Sequence, residues 1–81
     1  MDVRSVIVSE FELVARQQEK ALAVLTEDTM LLETGLDSLC LAIIVARLEE
    51  SLQVDPFQIA TDADFPVTFG DFVRFYENAA R

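Results

Sequence analysis

The sequence predicts a small all-α domain, a bundle of three longer helices and one short helix. Apolar residues recur at the three- and four-residue intervals of a helix in three separate segments. Two prolines and two glycines are too few for a fold with many turns. The 81 residues can build one hydrophobic core and not two, so 1–81 is expected to be a single domain.

The first helix is predicted to run from about Val3 to Gln17, with Asp2 as its N-cap. Five apolar residues recur at helical spacing and form one stripe, which consists of Val3, Val6, Ile7, Phe11 and Val14. Charged side chains occupy the opposite face. This helix is therefore amphipathic and is expected to pack its stripe against the rest of the domain.

A long connection from about Glu19 to Asp37 follows, with no helical period over enough residues to predict a helix. Its larger apolar side chains are Leu22, Leu25, Met30, Leu31 and Leu32. Long loops are unusual in compact domains, so we expect an ordered strap whose leucines pack back on the core. One tight turn is expected between Thr26 and Thr29.

The second helix is predicted to begin at Asp37 or Ser38 and to continue to about Leu52, before Pro56 ends any helical option. Its core-facing stripe is spaced by three, four, seven and eleven residues and consists of Leu41, Ile44, Val45, Leu48 and Leu52. This stripe accounts for the contribution of the helix to the fold.

Beyond Pro56, the sequence allows one helical turn around Ile59 to Asp62. Thr68 and Asp71 then have the spacing of a capping box, which predicts that the last helix starts at Phe69. The apolar stripe of this helix consists of Phe69, Phe72, Val73, Tyr76 and Ala80. A strand through this region is disfavoured because Pro66 interrupts it.

Composition excludes several classes of function. The chain has 15 acidic and 6 basic residues, no histidine and a net charge of −9, so nucleic acid is not an expected partner. Without histidine, no Ser-His or Cys-His pair can form, and no metal site is expected from the single cysteine. The free thiol favours a cytoplasmic location. The longest uncharged run is about half the length needed to cross a bilayer, so no membrane association is expected.

The second helix carries a further apolar stripe beside its core-facing one. This second stripe consists of Leu39, Ala42, Ile43 and Ala46. Either the helix is buried all round, or the stripe is a docking surface flanked by the acidic residues Asp37, Glu49 and Glu50. Spacing alone leaves both interpretations open.

Ser38 lies where the second stripe begins. It could simply be the helix cap, but Asp37 is at least as good a cap. If Asp37 caps the helix, no backbone amide needs the Ser38 hydroxyl, which is then free to be modified. A phosphate ester there would also meet the positive end of the helix dipole.

The segment Gly35-Leu36-Asp37-Ser38-Leu39 resembles the modification motif of acyl and peptidyl carrier proteins. In that family the serine carries a 4′-phosphopantetheine arm transferred from coenzyme A. The resemblance covers nearly the whole chain, from the first helix and the leucine-containing loop to the short third helix and the final helix. It implies a four-helix bundle of the acyl-carrier type.

The resemblance further implies a freestanding carrier protein and not an enzyme. Ser38 would be the attachment site, and the arm thiol would hold an acyl or aminoacyl group as a thioester. The partner-binding face would consist of Asp37, Leu39, Ala42, Ile43, Ala46, Glu49 and Glu50. The implied partners of the monomeric carrier are a phosphopantetheinyl transferase, an acyl- or aminoacyl-activating ligase, and downstream acyltransfer or synthase enzymes.

One departure from similar carriers concerns the second helix, which has no charge between Asp37 and Arg47. Carriers that resemble this chain often have a polar side chain at one or more of the positions of Cys40, Leu41 and Ile43. An unusually apolar partner face indicates a specialised pathway. Cys40 itself is interpreted as a small apolar filler and not as a second thiol.

Two alternatives come from other classes of protein. An unmodified acidic interaction module could bind a partner through the second stripe. An enzyme that uses Glu49 and Glu50 as paired carboxylates ranks third, because neighbouring residues on a helix point apart and no pocket is indicated.

Overall fold

The computed structural model describes residues 2–54 and 66–79. Three α-helices form in this part of the chain: α1 (Val3–Gln17), α2 (Ser38–Leu52) and α3 (Phe69–Ala79). A 3₁₀ turn, Leu31–Glu33, lies in the connection between α1 and α2. The all-α prediction is confirmed for the described residues. The helical turn predicted around Ile59 to Asp62 lies outside them.

The predicted start of α1 is confirmed. The Asp2 carboxylate accepts a 2.7 Å hydrogen bond from the backbone N–H of Ser5, as expected for an N-cap. Ile7, Phe11 and Val14 are fully buried because α1 packs against both α2 and α3. The first helix is thus the centre of the described fold.

Aromatic rings fill the contact between α1 and α3. The Phe11 ring meets the rings of Phe69 and Phe72 edge to face, with centroids 5.4 and 5.6 Å apart. Ile44 and Leu48 of α2 complete the same core. The stripe predicted for α2 is confirmed, since its other members, Leu41, Val45 and Leu52, pack partly buried against this core.

The connection between α1 and α2 is an ordered strap, as predicted, but only part of its apolar set faces the core. Leu31 is buried, and Leu22 and Leu25 are half-buried against the core. The prediction was wrong for Leu32, which is 75% exposed, and the neighbouring Met30 is 39% exposed. The 3₁₀ turn rotates successive side chains to different sides, so only Leu31 of the three consecutive apolar residues points inward.

Backbone hydrogen bonds attach the second half of the strap to the start of α3. Leu31 N–H donates to the Val67 carbonyl at 3.0 Å, and Phe69 N–H donates to the Thr29 carbonyl at 2.7 Å. The tight turn expected at Thr26 is confirmed by the 3.2 Å bond from Thr29 N–H to the Thr26 carbonyl. The strap therefore has a fixed position beside α3.

The capping box predicted for α3 is also confirmed. Asp71 N–H donates to the Thr68 hydroxyl at 3.1 Å, and Thr68 N–H donates to the Asp71 carboxylate at 3.3 Å. At its far end, α2 stops at Leu52 because Gln53 adopts the left-handed conformation, with φ of 58°. In 2–54 and 66–79, no helix has the length and hydropathy that crossing a bilayer requires.

Candidate functional site

Asp37 caps α2. One of its carboxylate oxygens accepts a 2.9 Å hydrogen bond from the backbone N–H of Cys40. This hydrogen bond holds the pKa of the Asp37 carboxyl below its ordinary value. Asp37 and not Ser38 is therefore the cap of α2, which is the arrangement that the sequence requires if the Ser38 hydroxyl is to be free.

The Ser38 hydroxyl has no structural role in the described part of the chain. Ser38 is the first residue of α2 and is exposed. Its side chain makes no hydrogen bond to any described residue. A hydroxyl in this position can react with an external group without breaking a hydrogen bond of the folded protein.

Two sides of α2 differ sharply in burial. Three of its residues, Cys40, Ile44 and Leu48, are at most 1% exposed. Six of the seven residues that the sequence assigned to the partner face are exposed, namely Asp37, Leu39, Ala42, Ala46, Glu49 and Glu50. Leu39 keeps 64% of its surface in water. The exposed part of this set has a continuous apolar centre with acidic ends.

Ile43 differs from the other members of the second stripe. It is half-buried and packs against the core. A residue at the boundary between the two sides of a helix contacts both the core and the solvent, so Ile43 contributes to stability as well as to the exposed surface. Cys40 is buried, and this burial raises the pKa of its thiol, which makes it a poor nucleophile near neutral pH.

The backbone before α2 is fixed by a glycine. Gly35 adopts φ of 98°, and a Cβ atom at this position would overlap the carbonyl oxygen of Ala21. The backbone N–H of Ala23 also donates to the Thr34 carbonyl at 2.8 Å. The first half of the strap is thereby held against the segment that leads to Ser38.

Thr34 is a buried polar residue that the sequence analysis missed. Its hydroxyl donates to the Leu31 carbonyl at 2.7 Å and accepts from Leu36 N–H at 3.4 Å. These bonds close the 3₁₀ turn onto the backbone before α2. The one sequence signal for this role was the position of Thr34 directly before the Gly-Leu-Asp-Ser segment. Its hydrogen-bond partners depend on a 3₁₀ turn, which periodicity does not predict.

An apolar groove opens beside Ser38, between α2, the strap and the start of α3. Its volume is about 420 Å³. Ser38 is the single polar residue among the described residues that line it, which are Met30, Leu31, Leu32, Ser38, Leu41, Ala42, Val45, Pro66, Val67 and Phe72. This groove explains the exposure of Met30 and Leu32, which form part of its wall. The sequence did not predict it.

The site therefore combines one exposed hydroxyl, one apolar groove and one exposed helix face. In the described residues, no three acidic or cysteine side chains are grouped so that they could hold a metal ion. Comparisons with models of protein families, with curated proteins and with solved structures find no match to this chain. The function is therefore inferred from the geometry of the site and from the motif.

Proposed function

We propose that this protein is a freestanding acyl carrier protein that bears 4′-phosphopantetheine on Ser38. The observation that carries the proposal is the exposed Ser38 hydroxyl, which makes no hydrogen bond to the described residues because Asp37 caps the helix. The Gly-Leu-Asp-Ser-Leu motif around it supports the same function. The four-helix bundle of the acyl-carrier type is part of this proposal.

The residues around Ser38 fit the chemistry of attachment. The Ser38 oxygen would form a bond to the phosphorus next to the pantetheine half of coenzyme A, while the bond from that phosphorus to 3′,5′-ADP breaks. The hydroxyl proton would pass to a base of the transferase. When bound, the arm supplies a thiol that holds a carboxylic acid as a thioester.

The groove beside Ser38 favours an apolar acyl group over an aminoacyl group. An ammonium group placed there would lose water and meet no acceptor side chain other than Ser38 among the described lining residues. An alkyl chain would instead remove apolar surface from water, at roughly 0.8 kcal/mol for each buried methylene. The groove therefore supports an apolar acid as the carried group.

The exposed side of α2 is suited to the enzymes that such a carrier must meet in turn. Leu39, Ala42 and Ala46 supply apolar contact, and Glu49 and Glu50 supply negative charge beside it. A basic rim on each partner would be attracted to this charge. The expected partners are a phosphopantetheinyl transferase, an acyl-activating ligase and downstream acyltransfer or synthase enzymes.

A second candidate function uses the same surface without modification. The apolar centre of the exposed side would serve an acidic interaction module equally well. The two candidates differ only at the Ser38 oxygen, because an interaction module has no need of a free hydroxyl there.

The deciding experiment uses the purified chain, coenzyme A, Mg²⁺ and a broad-range phosphopantetheinyl transferase, with detection by intact mass under reducing conditions. The carrier is expected to gain one arm, and Ser38→Ala is expected to gain none. Ser51→Ala is the matched control, since Ser51 is an exposed serine at the other end of the same helix. A wild-type chain that gains no mass would contradict the carrier and support the interaction module.

A further inference from the structure

A phosphodiester on Ser38 would be repelled by the negative charge around it. A phosphodiester on this residue would place a negative charge directly after Asp37, whose own carboxylate stays ionised because the Cys40 N–H holds its pKa low. The chain already carries a net charge of −9. A cation close to both groups would offset the repulsion between them.

Among the cationic side chains that the structure describes, Lys20 lies beside the Gly-Leu-Asp-Ser-Leu motif. Its ammonium nitrogen is 3.9 Å from the Asp37 carboxylate oxygen, Oδ2. Three of the other cations pair with carboxylates outside the motif, namely Arg4, Arg47 and Arg74. The Cys40 N–H occupies the other Asp37 oxygen, Oδ1, so the cap and the ion pair use separate oxygens of the same carboxylate.

The backbone of the strap fixes the position from which Lys20 acts. The N–H of Lys20 donates to the Ala15 carbonyl at 2.8 Å, which ties Lys20 to the end of α1. The next residue, Ala21, lies so close to Gly35 that no Cβ fits between them. Lys20 is thus held beside the motif by contacts on both sides of it in sequence, and its long side chain is 42% exposed and free to turn.

We propose that Lys20 is a positioning residue for the phosphodiester on Ser38, where its ammonium group offsets the added negative charge next to Asp37. This inference rests on the proposed function. In the unmodified protein, Lys20 pairs with Asp37 alone. After modification, its ammonium group would be attracted to the added phosphodiester as well as to Asp37 and would restrain the first atoms of the arm.

The test compares melting temperatures of the unmodified and the modified protein for the wild type, Lys20→Gln and Lys20→Arg. The modified forms are prepared with coenzyme A and the transferase. Lys20→Gln is expected to lower the melting temperature of the modified form more than that of the unmodified form, by on the order of 2 °C. Lys20→Arg keeps the charge and is expected to show no such difference. The difference should vanish in about 1 M NaCl, where charges are screened within about 3 Å.

Arg16→Gln separates a local effect from one of net charge. Arg16 is an exposed cation in the last turn of α1 and forms no ion pair with a described residue. We expect Arg16→Gln to lower the melting temperatures of the unmodified and the modified protein equally. Only Lys20→Gln is expected to move the ³¹P chemical shift of the phosphodiester. Equal effects of the two substitutions, or an unchanged ³¹P shift in Lys20→Gln, would overturn the role of Lys20 while leaving the carrier function intact. A wild-type chain that gains no mass would overturn both.

Discussion

Both sides of α2 carry apolar residues, but their surroundings are opposite. Ile44 and Leu48 are fully buried in the core that the three helices share, whereas Leu39, the last residue of the Gly-Leu-Asp-Ser-Leu motif, keeps 64% of its surface in water. The buried side is required by folding alone. On the exposed side, Leu39, Ala42 and Ala46 contribute little to the core, and the proposed function assigns them to contacts with partner proteins.

The first prediction tests whether the two sides differ in energy as they do in burial. Ile44→Ala should lower the free energy of unfolding by about 2–4 kcal/mol, because it leaves a cavity in the core. Leu39→Ala should change it by less than about 0.5 kcal/mol, since the side chain is mostly in water. Urea denaturation measures both. Similar losses in the two variants would show that the exposed side is part of the core.

The second prediction concerns the backbone at Gly35, which leads into α2. Gly35→Ala should lower the free energy of unfolding by about 1–3 kcal/mol, because it forces a left-handed backbone on alanine and its Cβ displaces Ala21. The same denaturation experiment measures this loss. Ala42→Gly, an exposed helical position, gives the scale of an ordinary backbone effect at about 1 kcal/mol. A Gly35→Ala variant with wild-type stability would mean that the contact with Ala21 is not maintained in solution.

The third prediction separates docking from folding. Leu39→Glu should leave the unfolding midpoint almost unchanged and lower the kcat/KM of the transferase roughly tenfold, because it puts charge at the centre of the apolar contact. Ile43→Glu should also destabilise the fold, since Ile43 is half-buried. Steady-state assays of modification, run beside melting curves, measure the two effects. Full transferase activity in Leu39→Glu would remove this side of α2 from the docking surface.

The fourth prediction concerns acid. Hydrogen bonds and ion pairs hold the pKa values of the carboxyls of Asp2, Glu27, Asp37 and Asp71 below their ordinary values. Their contribution to stability is thus complete above the unfolded-state pKa of about 4 and is lost as the pH falls through the lower folded-state values. Melting temperatures should stay level from about pH 5 to 7 and decline below about pH 4.

Asp37→Asn is the informative variant for this acid effect. Asparagine is an equally good N-cap, but it does not titrate. The decline at low pH should be smaller in Asp37→Asn than in the wild type. Identical pH profiles would show that the Asp37 cap contributes no acid sensitivity.

The sequence predicted the features that depend on neighbours along the chain. The caps Asp2 and Asp37 and the box of Thr68 and Asp71 act within three residues, so the starts of all three helices could be located. Periodicity then identified the buried side of α2 because one helix turn repeats along the same face.

The groove and the strap could not be predicted in the same way. The exposure of Met30 and Leu32 follows from a 3₁₀ turn that is held by Thr34 and by one hydrogen bond from Leu31 to Val67, more than 30 positions away. Local patterning contains no signal for such pairs. Ile43 was placed with the exposed residues because spacing gives the angular position of a side chain around the helix. It does not show how far the neighbouring elements cover that side of the helix.

The most direct test of the account is the location of the added arm in the wild-type chain after treatment with coenzyme A and the transferase. Peptide fragmentation under reducing conditions distinguishes the Ser38 oxygen from the Cys40 sulfur two residues later, because a reductant removes a mixed disulfide and leaves a phosphodiester. The account predicts one arm, on Ser38, that survives reduction. An unmodified chain, or an adduct on any other residue, would contradict it.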